Sequence, residues 1–120
     1  MTDNVPSPVA FSTLGLPTFL LESLNTLGYE EATPIQVETI PALLEGHDVV
    51  GIAQTGTGKT AAFALPALAS LDFKKRVPQI LVLCPTRELS MQVADAFRTY
   101  AKSSAGCTVV TLCGGNDMRQ

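Results

Sequence analysis

Between residues 17 and 44 the apolar positions recur at three- and four-residue intervals, and beyond residue 47 they gather into short unbroken runs. The first pattern predicts two helices. One spans about 17–27, with Pro17 in its first turn, Leu20, Leu21, Leu24 and Leu27 along one face, and Gly28 to close it. The other spans about 34–44 and ends before Gly46. The later runs predict strands at 48–53, 79–84 and 108–113. Helices fall between them, one from 59 and one from about 87 to 101, where Leu89, Val93, Phe97 and Tyr100 share a face. Pro66 is expected to kink or end the helix from 59 near Leu65.

Strands alternating with helices imply parallel βαβ units, and strands apolar on both faces imply helices on each side of the sheet. The expected fold class is α/β, a parallel sheet with helices on both faces. It is incomplete, because the last strand has no helix after it to cover it. Residues 1–10 are polar with Pro6 and Pro8, and read as a disordered leader, leaving 11–120 as one partial domain. With 46% apolar residues the chain has enough material for a packed core.

The junction between the first run and its helix carries the chemistry. Residues 53–60 read Ala-Gln-Thr-Gly-Thr-Gly-Lys-Thr, after Asp48-Val49-Val50-Gly51-Ile52 and before Ala61-Ala62-Phe63-Ala64-Leu65. A strand, a glycine-rich loop and a helix in that order form a phosphate-binding P-loop. Glycine lets backbone N–H groups converge on an anion, and the positive end of the helix adds to the attraction. In such a loop Lys59 reaches the β- and γ-phosphates, and the Thr60 hydroxyl ligates Mg²⁺. Ala53 stands where the usual pattern has Gly, so the strict motif is not met.

Two other segments admit both a structural and a functional reading. In Thr33-Pro34-Ile35-Gln36, Thr33 can cap a helix that begins with Pro34, and Gln36 completes a capping box. The Gln36 amide also offers the donor and acceptor that pair with an adenine edge. In Pro85-Thr86-Arg87-Glu88-Leu89, Thr86 can be an N-cap and Glu88 a favourable first-turn charge. Ligands gather at the carboxyl ends of strands in open α/β sheets, so Arg87 can equally hold a nucleic-acid phosphate there. Gly114-Gly115, after the third run, is either a tight turn or backbone that admits a phosphate.

Charge and cysteine usage narrow the setting. The net charge is −3, so nucleic-acid contact must be local, or most of its surface lies outside these residues. Cys84, Cys107 and Cys113 lack metal-ligand spacing and point to a reducing cytoplasm. No apolar run approaches a membrane span, and the first residues lack the layout of a signal peptide. His47, the only histidine, lies in a Gly-His-Asp turn and is given no catalytic role.

Taken in order, these segments resemble the first half of the N-terminal RecA-like domain of a DEAD-box RNA helicase of bacterial type. Gly28-Tyr29-Glu30-Glu31-Ala32-Thr33-Pro34-Ile35-Gln36 is similar to the family's Q motif, with Ala32 where Pro is usual. Phe11 stands 17 residues before Gly28, where the family carries an isolated aromatic. Ala53 to Thr60 matches the family's form of the P-loop, Ala included. Pro85 to Leu89 matches motif Ia with Ser90 after it, and Gly114-Gly115 with Gln120 resembles the GG motif.

The resemblance implies ATP and Mg²⁺ as ligands, and ATP-dependent unwinding or clamping of short RNA duplexes. Phe11 would stack on adenine and Gln36 would read its edge. Ala53, Gln54, Thr55, Gly56, Thr57, Gly58, Lys59 and Thr60 would hold the phosphates. Lys59 and Thr60 would be the catalytic groups among them, and Thr60 the metal ligand. Pro85, Thr86, Arg87, Gly114 and Gly115 would face a structured RNA, with ribosomal and messenger types both left open. The family's Asp-Glu-Ala-Asp strand, Ser-Ala-Thr motif and second RecA-like domain have no counterpart in residues 1–120, so this segment alone is expected to be inactive. The alternatives are a non-catalytic nucleotide- or RNA-binding module and another P-loop ATPase.

Overall fold

The computed structural model describes residues 8–51, 58–104 and 106–112. Val9–Ala10 (β1) pairs antiparallel with Glu31–Ala32 (β2), Val9 opposite Ala32 and Ala10 opposite Glu31. A 3-10 turn, Phe11–Thr13, leads to α1 (Thr18–Thr26); then come α2 (Pro34–Leu44), α3 (Lys59–Ala69) and α4 (Arg87–Tyr100). Val9 and Ala10, which fall within the segment 1–10 expected as a leader, are paired in this ladder. Residues 1–7 lie outside the described residues.

The helix bounds follow from their caps. Pro17 and Thr33 are both extended, with ψ of 161° and 162°, and start α1 and α2. Gly28 follows α1 with φ +79°, a left-handed conformation that closes a helix and that Gly adopts without strain. Thr86 caps α4 by accepting from the Leu89 N–H at 3.2 Å. Among the described residues, no helix is long and apolar enough to cross a membrane.

Of the two outcomes expected at Pro66 in α3, a kink or an end, the end does not occur. The helix runs through Pro66 to Ala69 rather than ending near Leu65. An interior Pro costs about 3 kcal/mol and removes one hydrogen bond. Leu65 and Leu68, on either side of it, are fully buried with Leu20, Leu24 and Ile40, and burying such side chains is worth about 1.5–3 kcal/mol each. Packing therefore outweighs the break. α2 likewise passes through Pro41.

The core joins all four helices. α2 lies along α3, α3 on α4, and α1 on α4. Leu20 and Leu24 of α1 meet Leu65 and Leu68 of α3 and Val93 and Phe97 of α4 in one buried cluster. Phe63 and Phe97 add a tilted ring pair, 6.1 Å between centroids.

The three predicted strands depart from expectation. Among the described residues the only ladder is β1–β2, so segments 48–51, 79–84 and 108–112 form no parallel sheet. Two of them still alternate as strands do. Ile80, Cys84, Cys107 and Val109 pack against the core, while Leu81 and Leu83 are 83% and 85% exposed. Parallel ladders form where helices cover both faces. Here the outward residues meet no second layer among the described residues, so the backbone edges stay unpaired. Arg98 holds the last segment in place, bonding Asp95 Oδ1 at 3.0 Å and the Val109 carbonyl at 3.2 Å.

Candidate nucleotide site

The start of α2 and the start of α3 interlock. At the first, Gln36 turns its side chain back, and its Oε1 accepts from the Thr33 N–H at 2.8 Å. Its Nε2 donates to the carbonyl of Gly58 at 3.1 Å, across 22 residues of sequence. Gln36 is only 4% exposed. A carboxamide has two donor hydrogens and two acceptor lone pairs. One of each is used here, which leaves one donor and one acceptor for a ligand.

Gly58 is the N-cap of α3 and the last residue of the P-loop before Lys59. Its φ is +84°, and a Cβ there would lie 2.4 Å from Gln36 Nε2 and 3.0 Å from Thr33 Oγ1. Only glycine satisfies both the backbone conformation and the close approach. Thr33 has the capping-box arrangement, yet its Oγ1 falls short of hydrogen-bond geometry and is buried without a partner among the described residues. An orphaned buried hydroxyl is costly and marks a position where a ligand atom would be stabilising.

These residues border a cavity of about 470 Å³, lined by Phe11, Tyr29, Thr33, Gln36, Gly58 and Tyr100 among others. Phe11 is 4% exposed and belongs to the core, where its N–H donates to the Glu30 carbonyl at 3.2 Å. Glu30 and Glu31 also line this cavity, and their carboxylates make it a poor place for phosphates. Lys59 and Thr60, the first two residues of α3, instead line a second cavity of about 610 Å³. The two cavities share Gly58, Ala61 and Tyr100. A base on the first side and phosphates on the second would therefore meet at Gly58. Ala53, Gln54, Thr55, Gly56 and Thr57 lie outside the described residues.

Tyr100 was legible only as the end of a core stripe, yet it borders both cavities. Burial, and then the proximity of Tyr29, push its phenol above the usual range. A polar-tipped aromatic closing an apolar stripe was the available signal. The Gln36–Gly58 bond had no signal in either segment alone.

Pro85, Thr86 and Arg87 are exposed at the start of α4, with Glu88 in its first turn. The Thr86 hydroxyl is engaged as a cap. Gly114, Gly115 and Gln120 lie outside the described residues, as does Cys113. Cys84 and Cys107 are free thiols, and burial pushes the Cys107 thiol up. His47 is exposed, its Nε2 3.5 Å from Glu45 Oε2.

A helix capped by a left-handed glycine is thus locked to a glutamine of the preceding helix. Residues 33–120 match the family model for DEAD/DEAH box helicase, and the chain belongs to that family. It is 53% identical over 115 residues to the ATP-dependent RNA helicase DeaD of Haemophilus influenzae, covering 96% of this chain and 18% of that protein. The RNA helicase Prp28 of Chaetomium thermophilum, solved bound to ADP, is similar with a TM-score of 0.80 and 40% identity, over 98% of this chain and 30% of that one. Dbp5 of Saccharomyces cerevisiae, solved bound to RNA and ADP BeF3, has a TM-score of 0.74 and 32% identity, over 80% and 25%. This chain spans less than a fifth of the length of the curated relatives it matches. The family assignment does not favour a non-catalytic module or an unrelated P-loop ATPase.

Proposed function

We propose that this chain is the ATP-binding N-terminal segment of an ATP-dependent RNA helicase that unwinds or remodels short RNA duplexes. The observation that carries the reading is the Gln36 carboxamide, bonded at once to the Thr33 N–H and to the Gly58 carbonyl. It leaves one donor and one acceptor, the complement of an adenine edge, beside a Thr33 hydroxyl that has no partner among the described residues. Phe11 forms the apolar wall against which the base stacks. The loop from Ala53 to Gly58 cradles the phosphates, Lys59 neutralises their charge and Thr60 ligates Mg²⁺. Mg²⁺, if bound through the Thr60 hydroxyl, would supply neutralisation of phosphate charge.

Pro85, Thr86, Arg87, Gly114 and Gly115 face the RNA backbone. ADP in the Prp28 structure and RNA in the Dbp5 structures support both ligand assignments. A reducing cytoplasm is the setting we propose, in keeping with the free thiols of Cys84 and Cys107.

The test is RNA-stimulated ATP hydrolysis by the intact protein and its Lys59→Ala variant, with thermal melts of both. Losing one charged group on the phosphates is expected to lower kcat about 10²–10³-fold with the melt unchanged. Turnover that ignores RNA, or that survives the substitution, removes the reading.

A further inference from the structure

The loop after α3 presents three exposed cations in a row. Lys74, Lys75 and Arg76 are three of the chain's eight basic residues, and none has an acidic partner within salt-bridge distance among the described residues. The loop is braced. The Asp72 N–H donates to Gln79 Oε1 at 2.9 Å, and Gln79 Nε2 donates back to the Asp72 carbonyl at 3.0 Å, tying the ends together. Asp72 Oδ1 accepts from the Lys74 N–H at 3.0 Å, and the Asp72 carbonyl accepts from the Lys75 N–H at 3.1 Å. The Phe73 ring stands edge-on to Phe19 of α1, with centroids 5.5 Å apart and planes at 81°. Asp72 is thus occupied in shaping the turn, and Phe73 in fastening it to the body of the protein.

Charge along the chain is segregated in the same sense. Residues 1–48 hold seven Asp and Glu and no Lys or Arg, whereas residues 49–120 hold all eight Lys and Arg against four acids. A chain with a net charge of −3 therefore carries a basic portion, and the loop is its densest point. It sits at the opposite end of α3 from Gly58 and Lys59, about 16 Å away along an 11-residue helix. Residues 79–84 separate it from Pro85, Thr86 and Arg87. It is distinct from both.

We propose that the loop 72–79 is a second RNA-backbone contact, in which Lys74, Lys75 and Arg76 meet consecutive phosphates of a strand extending beyond the motif at the start of α4. This rests on the RNA-helicase reading above. A polyanion fits better than a folded protein partner, whose interface needs an apolar centre, because three adjacent exposed cations outnumber the loop's two exposed large apolar side chains, Phe73 and Val77. Bracing the loop in advance lowers the entropy lost when the phosphates bind. The contact carries no base specificity.

The experiment measures RNA affinity of the intact protein between 50 and 200 mM salt, beside a variant with Lys74→Gln, Lys75→Gln and Arg76→Gln. Each phosphate contact to a single strand contributes about 0.7 to the slope of log K against log salt, so the variant's slope should be shallower by about 2. Over that fourfold range the unaltered protein should lose roughly tenfold to twentyfold more affinity than the variant. A swap that keeps the charge, Lys74→Arg, Lys75→Arg and Arg76→Lys, should restore the slope. Equal slopes overturn the proposal, and so does a loss of affinity that the charge-keeping swap fails to restore. So does a variant that loses binding to anionic phospholipid vesicles but not to RNA. Failure of the helicase reading is separable, since an intact protein that binds ADP but no RNA at any salt overturns both together.

Discussion

Around Gly58, residues from two segments 22 positions apart share hydrogen bonds and leave no room for a Cβ. At the start of α4, Pro85, Thr86 and Arg87 stand exposed, and Thr86 takes local bonds within its own helix turn, from the Leu89 N–H to its hydroxyl and from the Ser90 N–H to its carbonyl. The first region is defined by tertiary interactions, the second by where a helix begins. A buried interlock fixes its ligand-facing atoms in advance, whereas an exposed edge relies on its ligand to order it. Substitutions should therefore couple strongly in the first region and act singly in the second.

The sharpest way to break the contrast is Gly58→Ala. The new Cβ would meet Gln36 Nε2 at 2.4 Å while the backbone keeps φ +84°. Left-handed backbone alone costs a non-glycine residue about 1–3 kcal/mol, and the clash adds to it. Urea denaturation should show a loss of at least about 2 kcal/mol, and ADP binding should weaken with it. Stability within a few tenths of the parent would mean that the interlock is loose.

Gln36→Glu comes next. The Thr33 N–H still finds an acceptor, but the Gly58 carbonyl loses its donor and faces a buried carboxylate. A broken buried hydrogen bond costs about 1–3 kcal/mol. The preference for ATP over GTP should fall as well, since a carboxylate cannot donate. Burial raises the pKa of the introduced carboxyl, so lowering the pH should return a donating O–H and recover part of the loss. A variant with full stability but no nucleotide preference would confine Gln36 to base recognition.

What the residues disclosed follows the same division. Caps are local, so Thr33, Gly28 and Thr86 marked the ends of three helices before any packing was known. α3 does not end near Leu65, one of the two outcomes expected at Pro66, because Leu65 and Leu68 around it are buried. Apolar runs marked 79–84 and 108–112 as strand-like, and their alternating exposure agrees, but pairing depends on neighbours that periodicity does not supply. Gln36 admitted a capping and an adenine reading side by side, and the structure adds to its bond with the Thr33 N–H a second one, to Gly58. Caps and turns carried by one segment were legible. Chemistry made between segments was not.

Thr86 tests the other side of the comparison with a smaller effect. Thr86→Ala removes the cap of α4 and should cost about 1 kcal/mol, while Thr86→Ser should keep most of the stability. Nucleotide affinity should not move in either variant, because the cap touches nothing at Gly58. A drop in ADP binding for Thr86→Ala would show that the two regions are coupled after all.

The smallest expected effect concerns the far end of the same helix. α4 runs from the exposed edge to Tyr100, which borders both cavities, so it is the physical link between the regions. Its 14 residues span about 21 Å. Burial first, and Tyr29 second, raise the Tyr100 phenol above its ordinary value of 10.0. The folded protein thus keeps this proton at a pH where the unfolded chain releases it. The sign follows: the contribution is complete below the unfolded value and is lost as pH rises through the folded one. Urea midpoints should therefore fall as pH rises past the ordinary tyrosine value of 10.0, and fall less steeply in Tyr100→Phe. Tyr29→Phe should remove only part of the slope, since proximity is the lesser cause. RNA affinity at neutral pH should be unchanged in Tyr100→Phe, because the phenol is uncharged there and sits at the other end of the helix from Thr86. An altered RNA affinity would make α4 a conduit between the two regions, and their independence would have to be given up.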